Sequence, residues 1–335
     1  MALAGCFWLI VICGIVAGRM AGLRLSFSAM TAVFAKSALV LGLGVLSLLG
    51  WGTAAFGAQK VTMPRADGKG ELEGRLIALD ETGLFATVGL VGGDVRKATS
   101  RGETLQFLVQ DVRSGITLFK GAAKGAFATQ FGKGRDLGPG SILKREEAGG
   151  KSVVVSWEHQ FAGQLLPLAF LRVHHEGDVP VPGTPLLNEQ GQVVAICHQA
   201  TDSFGKGTYA VPAEAVQRVA KDYQQHGQLQ SCFSGIHLDV RDPVAAAVGV
   251  RPESPAAKAG LKSGDILLEI GGEKLNGYAT VLNEFYYLIP DQPTKITYLR
   301  GVEVKETSMT PIVDPRYQVL EQQAAEKTTE EVLKK

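Results

Sequence analysis

The stretch from Ser254 to Gly272 fixes more local structure than any other part of this chain. Ser254 followed by Pro255 is a helix start, because a serine oxygen accepts from an otherwise orphaned N–H and proline's fixed φ suits the first helical position. Gly260 ends that short helix and Gly264-Asp265 makes a turn. Ile266, Leu268 and Ile270 then alternate as a strand with one apolar face. A second helix is expected from about Ala279 to Leu288, followed by the strand TKITYLRG ending near Arg300 and a final strand leading to Pro311.

Ser254-Pro255-Ala256-Ala257-Lys258-Ala259-Gly260-Leu261-Lys262-Ser263-Gly264-Asp265-Ile266 closely resembles the signature of bacterial PDZ domains. The resemblance implies a domain over residues 229–312, a β-sandwich with two helices, that holds a peptide's C-terminal carboxylate on loop N–H groups and pairs the peptide with a strand edge. Phe233, Ser234, Gly235 and Ile236 occupy the loop position, and Ile236, Leu238 and Val240 alternate along the strand after it. Leu282 and Phe285, three apart on the second helix, are either the far wall of a side-chain pocket or ordinary core.

Upstream, Phe170 to Ile196 reads FLRVHHEGDVPVPGTPLLNEQGQVVAI. Its outline resembles the nucleophile loop of HtrA-like, trypsin-fold serine proteases, with Gly183, Pro185, Leu186, Leu187, Asn188, Gly191, Val193, Val194 and Ile196 matching without a gap. In that alignment Pro182 stands on the serine. The family's oxyanion donors are the N–H groups of the serine and of the glycine two residues before it. Proline has no N–H, so Pro180 and Pro182 remove both donors along with the nucleophile. Thr184 is the nearby hydroxyl, two residues late.

The other two triad positions agree. GRLIALDETGLFATVGLV, from Gly74 to Val91, resembles the histidine-bearing segment and puts Leu90 on the histidine. DVRSGITLFK, from Asp111 to Lys120, puts Gly115 on the aspartate. General base, orienting carboxylate and nucleophile are then all replaced, by Leu90, Gly115 and Pro182, and the resemblance implies a protease-like fold that is not an enzyme. Tyr209-Ala210-Val211-Pro212 fits the family's closing motif. The fold class expected is mostly β: a trypsin-like double β-barrel over 70–228, two six-stranded barrels in the family, followed by the PDZ domain.

With 34 basic against 33 acidic groups, the chain makes no case for a nucleic-acid partner. Residues 1–57 hold two apolar runs, Leu3 to Ala17 and Ala38 to Trp51, with Lys36 before the second and small residues after it. The pattern reads as a signal peptide cleaved after Gly57, with a start at Met20 or Met30 as an option, or as a retained membrane anchor. Either places the protein in the periplasm or cell envelope. Residues 58–69 read as a linker and 313–335 as a charged tail. Cys197 and Cys232 can pair in an oxidising compartment, though only geometry decides. There is no metal-ligand spacing and no cofactor motif; His174 and His175, adjacent on a strand, point to opposite faces.

The function expected is that of a pseudoprotease: a peptide-binding scaffold or regulator acting through its PDZ domain on protein C-termini or extended peptides. It is expected to act as a homo-oligomer or in association with an active protease. The alternatives are an envelope chaperone and a still-active hydrolase with a non-standard site.

Overall fold

The computed structural model describes residues 58–314 apart from 91, 123–127, 146–149, 159–167, 201–205 and 240–243. The leader, the tail from residue 315 onward and Val240 lie outside the described residues, while Val313, expected in the tail, belongs to a strand paired with Cys232. Seven strands form the first layer: β1 (Gln59–Pro64), β2 (Glu71–Ala78), β3 (Leu84–Val88), β4 (Thr99–Ser100), β5 (Glu103–Thr104), β6 (Gln106–Asp111) and β7 (Ile116–Lys120), ordered β5-β4-β1-β2-β3-β7-β6. The segment 58–69 is therefore not a linker. Val61 and Met63 alternate inward from β1 into a core with Leu76, Phe85 and Phe119, a two-residue apolar pattern too short to announce a strand in sequence.

Local chemistry sets the turns of this sheet. The Asp80 carboxylate accepts from the Thr82 and Leu84 N–H groups at 2.8 and 3.0 Å, closing the β2–β3 hairpin. Asp111 does the same for the β6–β7 hairpin, accepting from Arg113 N at 3.2 Å and from the Ser114 hydroxyl at 2.7 Å.

Six further strands close a barrel: β8 (Ile142–Arg145), β9 (Lys151–Glu158), β10 (Phe170–His175), β11 (Pro185–Leu187), β12 (Val193–Ala200) and β13 (Gly207–Pro212), in the order β10-β13-β12-β11-β8-β9. Its interior holds Leu143, Val154, Leu171, Val173, Leu186, Val194 and Cys197. Helix α1 (Ala213–His226) follows, ending at Gly227 in the left-handed conformation, and seals the space between the sheet and the barrel with Val216 and Val219.

The C-terminal domain holds β14 (Cys232–Phe233), β15 (Ile236–Leu238), β16 (Ala247–Val250), helix α2 (Pro255–Lys258), β17 (Ile266–Ile270), β18 (Glu273–Lys274), helix α3 (Tyr278–Tyr287), β19 (Thr294–Arg300), β20 (Glu303–Met309) and β21 (Ile312–Val313). The signature residues here hold the backbone in place. Ser254 Oγ accepts from Ala257 N at 3.2 Å to cap α2, and the Asp265 carboxylate takes two bonds from Arg300, at 2.7 and 2.8 Å. Burial opposes the charge on Asp265, but Arg300 and the Lys262 N–H outweigh it and hold the carboxyl below its ordinary value.

Helix α3 is buried on two sides. Val281 and Phe285 enter the domain's own core, while Tyr286 enters the core between the sheet and the barrel and Leu282 packs with Ala169 and Tyr278. The Tyr286 hydroxyl donates to Asp111 at 2.7 Å, Asn283 accepts from Ala169 N at 3.2 Å, and Arg135 pairs with Glu284 while lying 4.3 Å from the centre of the Tyr287 ring.

Candidate functional site

A cavity of about 250 Å³ opens between β15 and α3. Of the residues expected to bind peptide, Phe233, Ser234, Gly235, Ile236, Leu238 and Phe285 all line it. Leu282 does not: it is fully buried against Ala169, so of its two readings core packing holds. Three apart on a helix gives neighbouring stripes, and here each stripe faces a different domain.

The loop geometry suits a carboxylate. Ser234 O accepts from Ala256 N and Gly235 O from Arg251 N, both at 2.9 Å. In a trans peptide the N–H points opposite its carbonyl, so the Gly235 and Ile236 N–H groups turn away from those donors. The Ile236 N–H also lies 3.3 Å from Ser234 Oγ. Gly235 has φ +82°, and a Cβ there would overlap the Ser254 side chain. On the strand side, among the described residues β15 pairs with β16 alone in its sheet. Arg113, Arg251 and Tyr286 also line the cavity and were not singled out in the sequence. Arg113 comes from the β6–β7 hairpin, far along the chain, and no local pattern marks it.

The three positions aligned with the protease triad come together between the sheet and the barrel. A methyl on Gly74 would lie 2.9 Å from Pro182 O and 3.0 Å from Leu90 Cδ2, and Gly89 N donates to Gly115 O at 3.1 Å. Leu90 is 4% exposed and belongs to the core around Phe85 and Phe119. Pro182 O accepts from Arg75 N at 2.8 Å. Thr184 spends its hydroxyl on Val181 O at 2.7 Å, inside its own turn. Arg145 ties the approach to Pro180 by donating to Asp178 O at 2.7 Å and to Glu176 O.

His198, which no sequence pattern marks, stands where a Gly115 side chain would go: a Cβ on Gly115 would sit 2.6 Å from its Nε2. Its ring packs edge-on against Phe170 at 5.1 Å, its Nδ1 finds no hydrogen-bond partner among the described residues, and burial lowers its pKa to about 4. One histidine does meet a hydroxyl on each side. His175 Nδ1 lies 2.8 Å from Ser152 Oγ and Nε2 lies 2.8 Å from Thr208 Oγ1. All three are 0–1% exposed inside the closed barrel, so although a nucleophile needs such a base, no substrate carbonyl reaches this one. His174, by contrast, is exposed. Cys197 and Cys232 are both free thiols; Cys197 is fully buried in the barrel and burial pushes its pKa up to about 12.

The buried histidines give a testable pH dependence. Burial lowers His175, as do the charges of Arg145 and His174, to about 4 from an unfolded value of 6.5, as burial alone does for His198. Between pH 6.5 and 4 the unfolded chain takes up protons the folded chain refuses, so stability falls with falling pH by on the order of 2–3 kcal/mol per histidine. The urea midpoint should drop steadily over that range, and His198→Leu should flatten the slope. A midpoint unchanged from pH 7 to pH 4.5 contradicts the assignment.

The PDZ domain family model matches residues 234–310. A putative serine protease, HhoB of Synechocystis sp., is 30% identical over 150 residues, covering 38% of this chain and 36% of HhoB. A probable periplasmic serine endoprotease, DegP-like, of Marinomonas sp. is 33% identical over 108 residues, 28% of this chain and 23% of that protein. Among solved structures, the HtrA-type protease AlgW with tripeptide superposes with a TM-score of 0.56 at 16% identity, covering 78% of this chain and 95% of that one. The matches thus span about a third or less of these curated relatives' own length. Fold and groove together define a trypsin-like serine protease fold carrying a C-terminal PDZ domain. The chain carries a PDZ domain and is similar, over part of their length, to HtrA/DegP-like serine proteases. Among the described residues no helix is long and apolar enough to cross a membrane.

Proposed function

We propose that this protein is an exported pseudoprotease of the periplasm or cell envelope that binds protein C-termini or extended peptides in its PDZ groove. The observation that carries this reading is the loop from Phe233 to Ile236. Its Ser234 and Gly235 carbonyls are engaged by Ala256 N and Arg251 N, and its residues share one cavity with the strand β15 and with Phe285. An extended ligand adds to β15 as a further strand, its terminal side chain against Ile236, Leu238 and Phe285.

Catalysis is read as lost because Leu90, Gly115 and Pro182 carry no base, carboxylate or nucleophile, and neither Pro180 nor Pro182 offers an N–H to an oxyanion. The relatives named periplasmic endoproteases support the compartment. A second copy of this chain or an active protease of the family is the proposed assembly partner. Calorimetry with a decapeptide ending in valine tests the groove. Its free-acid form should bind roughly tenfold to a hundredfold more tightly than its C-terminal amide, since charge-assisted bonds to the carboxylate contribute about 1.5–3 kcal/mol. Equal affinity for the two forms would mean that the loop is only a packed turn.

A further inference from the structure

Strand β20 leaves one edge of the C-terminal domain open. It ends the four-stranded sheet β18-β17-β19-β20, so among the described residues no strand lies along its outer side. Arg300 and Glu303 close a hairpin around Gly301-Val302, and the register then runs without a shift to Thr294 opposite Met309. The closing pair of a two-residue hairpin exchanges both of its bonds, and opposed pairs alternate along the ladder. Glu303, Lys305 and Thr307 therefore bond inward to β19, while Val304, Glu306 and Ser308 turn their N–H and C=O groups to the open edge. The edge also exposes apolar surface, with Val302 96% and Val304 63% exposed. Val304 ends a cross-strand row with Leu299 and Ile266, both half-buried on the sheet's outer face, opposite the face from which Ile296, Tyr298 and Met309 enter the core.

We propose that this edge is an interface between two copies of the chain, in which β20 pairs antiparallel with β20 of the second copy about a two-fold axis at Val304. The charges select that register. With Val304 opposite its own counterpart, Glu303 meets Lys305 of the partner subunit and Lys305 meets the partner's Glu303. Moving the axis to Lys305 or Glu306 would set two lysines or two glutamates on each other, which destabilises a cross-strand pair. Charged residues ordinarily blunt a strand edge against pairing. Here they leave one alignment free of repulsion. In that alignment the outward N–H and C=O of Val304 bond their counterparts, and the row of Ile266, Leu299 and Val304 runs on into the same row of the second copy. The contact is self-complementary and covers both edges, so it closes at a dimer rather than growing. Few residues take part, which puts it in the weak, transient class. It shares no residue with the groove cavity and does not rest on the peptide reading.

Sedimentation of the full chain from about 1 to about 500 μM should show a monomer–dimer equilibrium. Val304→Lys, at an exposed position, sets two lysines at the axis and should weaken the dimer about tenfold or more. Glu303→Lys and Lys305→Glu should each weaken self-association in the same way. Mixed together, those two variants should associate as well as the unmodified chain, because every lysine of one strand then faces a glutamate of the other. A chain that stays monomeric over the whole range, a dimer untouched by Val304→Lys, or a mixture of folded charge variants that does not associate would overturn the proposal. Should a variant fail to fold, amide exchange of the unmodified chain decides. The Val304 and Glu306 N–H groups should exchange more slowly as concentration rises, and rates independent of concentration count against the interface. Each of these failures leaves the groove reading as it stands.

Discussion

On the proposed reading, introducing a triad by Leu90→His, Gly115→Asp and Pro182→Ser together should yield no peptidase activity and a less stable protein. Pro180 still offers no N–H to an oxyanion, and removal of one such donor alone costs about a hundredfold to a thousandfold in rate. The space is also taken. Gly115 sits at φ +69°, and a side chain there meets the His198 ring within 2.6 Å, so an aspartate carries backbone strain and overpacking of roughly 1–3 kcal/mol each. Leu90→His adds a polar ring to a core of Val61, Met63, Phe85 and Phe119. Thermal unfolding should show a fall in Tm, and casein should remain intact. Turnover by the triple variant would show that Pro180 and the His198 packing do not block the site.

Gly235→Pro should abolish peptide binding. Proline removes the N–H, fixes φ near −65° where the native value is +82°, and drives a Cβ into Ser254, the cap of α2. Loss of a bond to a charged acceptor together with the strain contributes several kcal/mol, a hundredfold or more in affinity. Gly235→Ala keeps the N–H but not the space, and should weaken binding less than proline does. Calorimetry with the free-acid peptide reads both; affinity of Gly235→Pro within threefold of the unmodified chain contradicts the role of the loop.

The PDZ domain was legible because its signature residues each act on the backbone close by. Ser254 caps, Gly260 and Gly264 take positive φ, and Asp265 meets Arg300 one strand away. Leu282 and Phe285 were ambiguous for a physical reason. A helix packed on two sides has apolar residues on both, and spacing does not say which stripe meets which neighbour. β1 was missed because Val61 and Met63 are too few to announce a strand, and its pairing with β2 supplies the rest. Arg113 and His198 belong to the same class. Each owes its place to contacts brought from distant strands, so neither carries a signal in its own segment.

The most direct measurement is a calorimetric titration of the full chain with the free-acid decapeptide, followed by mass spectrometry of the recovered peptide. The expected result is saturable binding with the peptide returned at its starting mass. Recovery of fragments that persist through extensive purification of the protein and disappear on Thr184→Ala would contradict the proposed loss of catalysis, and the absence of any binding heat with a form of the protein shown to be folded would contradict the proposed groove.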